Sequence, residues 1–349
     1  MNILIVKLSA IGDVVHTLPS LSALRKLYPA AHITWVIEEA ASDLIKDHPY
    51  LDRVIISHRK RWLNDLKKGH VGKTIADIRS FIKAIRERSY DLVIDFHGLL
   101  KSAVIVFLSG GRRRLGYDSM QELSGLFLNE KIPEDMGKHA VLRYLDLLRY
   151  LGADIGEAEF LIPIQQENRE KVEDILKTNH IGRKDDFVVV SPIAFWETKL
   201  WEEEKFARLC DLITEELKVR VILTGSECES IRRIQSLMTL PSLNLAGRTT
   251  LRDLAYLYQL AAVLVTTDSG PMHLAAAVGT PVIALFGASD PARTGPYGEG
   301  HTVIQKGLPC SPCFLKKCAT KRCMQEITVE DVFQAVKERF STYRKEKVN

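Results

Sequence analysis

Short apolar runs alternate with longer helical patterns along the first half of the chain. The runs are ILIVKL, ITWVIEE, DRVII and DLVIDFHG, and the segments between them, such as 18–27 and 74–88, have helical spacing. This alternation is typical of parallel strands joined by helical crossovers. The pattern therefore predicts an open α/β sheet.

The alternation weakens over 151–168, where GADIGEAEFLIPIQQEN carries Gly, Pro and acidic residues without clear periodicity, and we place a linker there. It resumes with DFVVVSPIA, VRVILTGS, LNLAG, VLVTTDSG and PVIALFG. We therefore predict an α/β protein of two doubly wound, Rossmann-like domains, 1–160 and 161–349, that face each other across a cleft. In such sheets ligands bind outside the carboxyl ends of the strands, so polar residues in those loops are candidates for function.

Composition narrows the class only slightly. The chain has 349 residues, of which 46% are hydrophobic and 26% charged, and its formal net charge is +4. So small a net charge argues against binding of nucleic acid over the whole surface. The positive charge is nevertheless concentrated in the first half of the chain. The segment from Arg53 to Arg88 contains eleven Lys or Arg but three Asp or Glu, and Arg112, Arg113 and Arg114 follow.

Targeting signals are not evident in the sequence. Six cysteines in a chain of this length do not suggest a secreted disulfide scaffold, and the first apolar stretch is too short for the core of a signal peptide. No run reaches the roughly 18 to 20 apolar residues that cross a bilayer. We expect a cytoplasmic protein whose membrane contact is peripheral.

The stretch VTTDSGPMHLAAAVGTPVIALFG predicts a buried strand that passes directly into a helix. Asp268, Ser269 and Gly270 lie at this junction, and His273 follows one helical turn later. Backbone N–H groups and the positive end of the helix dipole make such a junction suitable for a phosphate group. The alternative is an ordinary helix cap, with Asp268 or Ser269 as the capping residue.

A matching arrangement occurs at the start of the chain, in VKLSAIGDVVHTLPSL. Here Asp13 could act as a general base, because a carboxylate beside a substrate hydroxyl can accept its proton as the oxygen attacks. A helix-capping carboxylate is the alternative interpretation. The stretch does not contain G-x-G-x-x-G, which argues against a dinucleotide-dependent oxidoreductase.

Two further strand ends carry candidate chemistry. SPIAFWETKLW places Lys199 between two tryptophans, where it could neutralise a leaving diphosphate, and DLVIDFHGLLKSA places Asp95, His97 and Lys101 after another strand. Asp95 could equally be a buried structural residue. The chain has no D-x-D sequence, the usual carboxylate pair for a divalent metal on a nucleotide diphosphate, so Lys199 and the helix ends would have to supply the positive charge.

Four of these motifs, VKLSAIGDVVHTLPSL, DFHGLLKSA, TKLW and TTDSGPMHLAAAVGTPVIALFG, resemble in order and spacing the heptosyltransferases of glycosyltransferase family 9. The resemblance extends over almost the entire chain. It implies a GT-B fold and an inverting, metal-independent transfer of heptose from ADP-L-glycero-β-D-manno-heptose to a Kdo sugar of the lipid A precursor. It implies no cofactor, no nucleic-acid partner, and a peripheral position at the inner face of the inner membrane.

The resemblance also assigns roles by position. Asp13 would deprotonate the Kdo hydroxyl, and Lys199 would stabilise the departing diphosphate. The positions implied for the donor are Ala194, Phe195, Glu229, Thr249, Asp268, Ser269, Gly270 and His273. The positions implied for the acceptor are Arg59, Arg61, His97, Lys101 and Arg143.

Several of these assignments depart from the family pattern or remain open. Glu227 is an alternative to Glu229 for the ribose hydroxyls, and Thr249 stands where some members have Met. Ala194 and Phe195 stand where some members carry hydroxyls toward the phosphates. The basic segment 59–73 fits an anionic glycolipid, or it is the solvated face of a surface helix. The last helix could pack back on the first domain.

The segment PCSPCFLKKCATKRCM has no place in this scheme. Its cysteines follow the spacing C-x2-C-x4-C-x4-C and could bind zinc or an iron–sulfur cluster, although we favour free thiols or a redox-sensitive loop. These four residues are Cys310, Cys313, Cys318 and Cys323. Cys210 and Cys228 lie in helical patterns and are expected to pack in the core.

Three alternatives to heptose transfer onto Kdo stay open at this point. The chain could act at the next heptose or use another ADP-sugar. It could also bind a nucleotide sugar without turnover, although binding alone would not require both Asp13 and Lys199. Finally, it could be a nucleotide-sugar epimerase of the same fold.

Overall fold

The computed structural model describes residues 1–118, 121–226 and 228–348. It divides the chain into two compact units, Met1–Pro163 and Ile164–Asn349. The division falls three residues after the boundary at 160/161 that the sequence predicts. Each unit contains one six-stranded parallel sheet with helices on its faces, so the predicted α/β, doubly wound architecture is confirmed.

The first unit begins with a strand and ends with a helix. Its strands are β1 Asn2–Val6, β2 His32–Glu38, β3 Arg53–Ser57, β4 Leu92–Asp95, β5 Arg113–Tyr117 and β6 Glu130–Ile132. Its helices are α1 Ile11–Leu27, α2 Glu39–Ser42, α3 Arg59–Lys67, α4 Val71–Arg86, α5 Leu100–Leu108, the 3₁₀ helix η1 Gln121–Phe127 and α6 Ala140–Tyr150.

The second unit also has six strands with helices between them, but it begins with a helix. Its strands are β7 Phe187–Ser191, β8 Arg220–Leu223, β9 Leu243–Asn244, β10 Val263–Thr267, β11 Val282–Phe286 and β12 Thr302–Gln305. Its helices are α7 Gln166–Thr178, the 3₁₀ helix η2 Glu197–Lys199, α8 Glu203–Leu217, α9 Cys228–Leu237, α10 Leu251–Leu260, α11 Gly270–Ala277, α12 Pro291–Thr294, α13 Arg322–Gln325 and α14 Val329–Val348.

Strand order places a topological switch point in each sheet. The orders are β3-β2-β1-β4-β5-β6 and β12-β11-β10-β7-β8-β9, so the chain reverses its direction of winding between β1 and β4 and between β7 and β10. The register pairs Val6 with Asp95 in one sheet and Thr266 with Ser191 in the other. The loops that follow these strand ends therefore emerge side by side, where ligands bind in such sheets.

The central strands are apolar because helices cover both faces of each sheet. Ile3, Leu4, Ile5 and Val6 are fully buried, as are the residues of β10. In the second unit α14 packs on α8 and contributes to the core around Phe206. Within the ranges given above, no helix is long and apolar enough to cross a membrane.

Candidate active site

The switch point of the first unit is built around the buried Lys7, which directly follows β1. Its ammonium group donates to the Phe96 carbonyl at 2.9 Å and to the Tyr144 hydroxyl at 2.6 Å. Burial lowers the pKa of Lys7, while the nearby carboxylates of Asp13 and Asp95 raise it. Lys7 thus links the ends of β1 and β4 to helix α6.

Asp13 lies in the first turn of α1, and its carboxylate is held from two sides. Oδ1 accepts a hydrogen bond from the Tyr144 hydroxyl at 3.3 Å and lies 3.9 Å from Lys7 Nζ, while Oδ2 accepts from the Ala10 N–H at 3.0 Å. The Ala10 contact is the capping interaction that the sequence left as an alternative. The side chain is nevertheless 41% exposed, so its oriented carboxylate remains accessible to a substrate hydroxyl.

The loop after β4 is shaped by the buried Asp95. Its carboxylate accepts from the N–H groups of His97 and Gly98 at 2.9 and 3.1 Å and from the Ser102 hydroxyl at 2.9 Å. These contacts and Lys7 oppose the rise in the pKa of Asp95 that burial causes. Asp95 therefore has the structural role that the sequence left open, since it fixes the turn that carries His97.

His97 is uncharged at neutral pH in this environment. Burial lowers its pKa to about 3, and the ammonium groups of Lys7 and Lys101 act in the same direction, against Asp13. It can therefore exchange neutral hydrogen bonds at pH 7 but has no imidazolium proton to donate.

Beside these groups lies a buried carboxylate that the sequence analysis did not single out. Glu38, the last residue of β2, lies 3.1 Å from Arg59 Nε and 3.6 Å from Lys101 Nζ through its Oε1. Lys101 also donates to the Ser9 hydroxyl at 3.0 Å, in the loop between β1 and Asp13. Because the TWVIEE stretch reads simply as a strand, only its position at the strand's end could have pointed to Glu38.

The two remaining acceptor candidates have other surroundings. Arg61 lies 3.8 Å from Asp77, between α3 and α4, and is about half exposed. Arg143 is buried and pairs with Glu134 at 2.5 Å. Of the five residues predicted for the acceptor, the structure thus brings Arg59, Lys101 and His97 to the ends of the central strands.

The switch point of the second unit carries a close ion pair. Asp268, directly after β10, is buried, and its Oδ2 lies 2.6 Å from Lys199 Nζ. The same oxygen accepts a hydrogen bond from the Ser289 hydroxyl in the loop after β11. Lys199 also lies over the ring of Trp196 at 4.5 Å, so its ammonium is held by both a carboxylate and an aromatic face.

Helix α11 begins one residue beyond Ser269, as predicted. Ser269 is extended and does not cap the helix with its side chain, while its hydroxyl lies 3.3 Å from that of Thr266. Gly270 opens the helix, and His273 is buried one turn later. The positive end of the dipole of α11 suits an anion, although Pro271 has no N–H and the Met272 N–H donates to the Ser269 carbonyl at 3.1 Å.

The other donor candidates lie in the segments that follow β7, β8 and β9 in the second unit. Glu229 is in the first turn of α9, is 85% exposed and lies 3.5 Å from Arg233. Thr249 precedes Thr250, the N-cap of α10. Ala194 is buried whereas Phe195 is 97% exposed, both in the loop after β7. Glu227 lies outside the described residues.

The cysteine-rich segment contacts the loops of the ion pair. The Phe314 N–H donates to the Ala288 carbonyl at 2.7 Å, next to Ser289, and the Thr198 hydroxyl donates to the Leu315 carbonyl at 2.6 Å, next to Lys199. Hydrogen bonds from backbone N–H groups lower the pKa of Cys318. The described part of the chain has no group of three or more His, Cys, Asp or Glu arranged to hold a metal ion. Cys210 is buried in the core, as predicted.

Two Rossmann-like units, each with charged side chains at its switch point, form the GT-B fold, which the chain shares with a solved heptosyltransferase. The comparisons with known proteins agree with this fold. Residues 78–324 match the model of glycosyltransferase family 9 (heptosyltransferase). The chain belongs to glycosyltransferase family 9, and it is an enzyme of that family.

Three relatives illustrate the match. Lipopolysaccharide heptosyltransferase 1 of Pseudomonas aeruginosa is 31% identical over 91% of this chain and 87% of its own length. The E. coli heptosyltransferase WaaC with ADP is 27% identical, with a TM-score of 0.75 over 97% of this chain and 100% of that one. E. coli ADP-heptose lps heptosyltransferase II is 22% identical over 99% of this chain and 100% of that one, with a TM-score of 0.78, and shows the shared fold.

Proposed function

We propose that the protein transfers L-glycero-D-manno-heptose from ADP-heptose to a Kdo sugar of the lipid A precursor, in the synthesis of the lipopolysaccharide core. Support comes from the family match and from relatives that are named as heptosyltransferases, one of them of lipopolysaccharide. The observation that carries the proposal is Asp13, an accessible carboxylate oriented by Tyr144, Lys7 and the Ala10 N–H at the end of a central strand.

On the acceptor side, Asp13 is the general base. As the Kdo hydroxyl oxygen forms a bond with the anomeric carbon of heptose, its proton passes to Asp13, and the bond from that carbon to the diphosphate oxygen breaks. Attack from the face opposite the diphosphate inverts the configuration. Arg59 and Lys101 supply positive charge for the acidic acceptor, and His97 offers neutral hydrogen bonds. Arg61 and Arg143, which pair with Asp77 and Glu134, are the remaining positions proposed for the acceptor.

On the donor side, the second unit holds ADP-heptose. Lys199 and the N-terminus of α11 at Ser269 and Gly270 receive the charge that develops on the leaving diphosphate. Asp268 positions Lys199, whose ammonium has three donors and can bind a phosphate oxygen while it keeps its carboxylate partner. The remaining positions proposed to contact the donor are Ala194, Phe195, Glu229, Thr249 and His273.

This arrangement needs no divalent metal in the transfer step, because Lys199 and the helix dipole supply the positive charge. Turnover in the presence of EDTA therefore checks this part of the proposal. A strict requirement for a divalent metal would contradict it.

The decisive experiment measures ADP release by the purified protein with ADP-heptose and each of two acceptors, Kdo-lipid A and its mono-heptosylated product. We expect release with Kdo-lipid A. Release only with the mono-heptosylated acceptor would assign the protein to the next transfer, as in heptosyltransferase II. Conversion of the nucleotide sugar without any acceptor would indicate an epimerase, and binding without turnover would overturn the catalytic proposal.

The acceptor is a lipid of the inner membrane, so we further propose that the protein works at the cytoplasmic face of that membrane as a peripheral protein. The cation-rich segment between Arg53 and Arg88 supports this proposal. Each Lys or Arg close to an anionic membrane surface contributes about 1 kcal/mol.

A further inference from the structure

Large apolar side chains are exposed on one face of α5 and on the neighbouring η1. On α5 they are Leu100, Val104 and Phe107, whose spacing of four and three residues places them on one side of the helix. On η1 they are Leu123 and Leu126, which are 60% and 65% exposed. Contiguous exposed apolar surface usually marks a place of interaction.

The two segments pack against each other. The ring of Phe107 meets that of Phe127 edge to face at 5.8 Å between centroids. At the other end of α5, the Leu100 N–H donates to the Glu122 carboxylate at 3.1 Å, and the Ser124 hydroxyl donates to the Gly98 carbonyl at 2.9 Å. We name the five exposed residues, Leu100, Val104, Phe107, Leu123 and Leu126, the α5–η1 ridge.

One end of the ridge adjoins the proposed acceptor site. Leu100 precedes Lys101, whose ammonium contacts Ser9 and Glu38 beside Asp13. A sugar bound at Asp13 therefore lies close to the start of an exposed apolar surface. A water-soluble sugar acceptor would gain nothing from an apolar surface beside its binding site. A glycolipid acceptor would, because its acyl chains remain in a bilayer that such a surface can contact.

An arginine contacts the other end of α5, and further cations are exposed on the adjoining segments. Arg86, the last residue of α4, donates to the Leu108 carbonyl at the end of α5 at 2.9 Å, and Arg112 is exposed shortly after α5 ends. Lys83 is exposed on the same helix as Arg86. Glu122 is an acidic group beside the ridge, at the Leu100 N–H. An apolar surface with cations at its margin complements the headgroup region of an anionic membrane.

We propose that the α5–η1 ridge binds the surface of an anionic lipid bilayer, with its apolar side chains in the headgroup–acyl boundary. The inference rests on the proposed function for the identity of the acceptor, but the binding surface is defined by the exposed residues themselves. Docking by this surface brings the acceptor end of the first unit to the bilayer, so the sugar of an embedded glycolipid reaches Asp13 without leaving the membrane.

The test is flotation of the full chain with vesicles of phosphatidylethanolamine and phosphatidylglycerol, compared with vesicles of phosphatidylcholine. The variant is Val104→Ser with Leu126→Ser, because serine resembles valine in helix propensity and the ring contact of Phe107 is kept. The control is Leu237→Ser with Val303→Ser, two exposed apolar residues of the second unit. Thermal melting shows whether each variant remains folded.

We expect the wild type and the control to float with the anionic vesicles, less so at high salt. The ridge variant should bind them about tenfold or more weakly, since two apolar side chains no longer enter the interface. Equal flotation of ridge variant and wild type, equal binding to phosphatidylcholine, or no binding by the wild type would overturn the proposal. A change of oligomeric state in the ridge variant without a change in flotation would instead assign the ridge to a second copy.

A parallel assay separates this inference from the proposed function. With a deacylated, water-soluble Kdo acceptor, the ridge variant should keep the turnover of the wild type. If the wild type turns over neither this acceptor nor Kdo-lipid A, the proposed function fails while flotation still decides the role of the ridge.

Discussion

The two units place a lysine and an aspartate at the same point of the same sheet topology, yet they expose opposite members of the pair. In the first unit Lys7 is buried and Asp13 is 41% exposed, at a separation of 3.9 Å. In the second unit Asp268 is buried and Lys199 is 16% exposed, at a separation of 2.6 Å. One switch point therefore presents a carboxylate and the other an ammonium.

The partners of each pair explain this difference. Lys7 uses its donors on the Phe96 carbonyl and on Tyr144, so Asp13 is oriented without being covered. Asp268 instead accepts hydrogen bonds from both Lys199 and Ser289, and its carboxylate is buried. The same fold position can thus offer a proton acceptor for one substrate and positive charge for the other.

The largest effect is expected from Asp13→Asn, which keeps the shape of the side chain but removes its basicity. Turnover should fall about 10³-fold, within the range for loss of a general base, while affinity for ADP-heptose should remain nearly unchanged. ADP release and calorimetric titration with ADP-heptose measure the two quantities. An equal loss of donor affinity and rate would show that Asp13 is structural.

Lys199→Met tests the ion pair of the second unit, in which the lysine and not the aspartate is the more exposed partner. We expect turnover to fall about 10²- to 10³-fold, as for removal of one electrostatic donor. Urea unfolding should show destabilisation of about 3–5 kcal/mol, because the charge of Asp268 is left buried without its cation. The double variant Lys199→Met with Asp268→Asn should recover stability but not rate. Recovery of both would mean that the pair serves stability alone.

Some features of the fold and of the candidate site could be predicted from the sequence, and others could not. The alternation of apolar runs predicted both sheets, because a strand covered on two faces must be apolar along its length. The family motifs pointed to Asp13 and Lys199, which lie at the two switch points. The contacts of Glu38, Tyr144 and Ser289 could not be predicted, because each partner is brought close by the packing of separate strands and helices.

The pH dependence of stability gives a further test of the first unit, because burial lowers the pKa values of several of its histidines, including His97 to about 3 and His48 to about 4. The unfolded chain binds a proton at each near pH 6.5, so the stability that neutral His97 contributes is complete above that pH and is lost as pH falls toward 3. The slope is at most about 1.4 kcal/mol per pH unit for one proton.

His97→Gln should therefore flatten the fall in unfolding free energy between pH 6.5 and about 3, as measured by urea titration at several pH values. His48→Gln should also flatten the fall in unfolding free energy, but over a narrower pH range that ends near the pKa of His48, about 4. A slope that neither substitution changes would mean that other groups control the acid sensitivity of the first unit.

The smallest effect is expected from Ser289→Ala, which removes one hydroxyl donor from Asp268 and leaves the ion pair with Lys199 in place. Loss of one hydrogen bond corresponds to about 1 kcal/mol, so turnover should fall only about fivefold. Ser311→Ala is the matched control, because that hydroxyl donates to the Gly287 carbonyl nearby and not to the carboxylate. Initial rates of ADP release at saturating acceptor measure both variants. If Ser289→Ala were as slow as Lys199→Met, the hydroxyl and not the ammonium would dominate the charge balance at this switch point, and the contrast between the two units would have to be drawn differently.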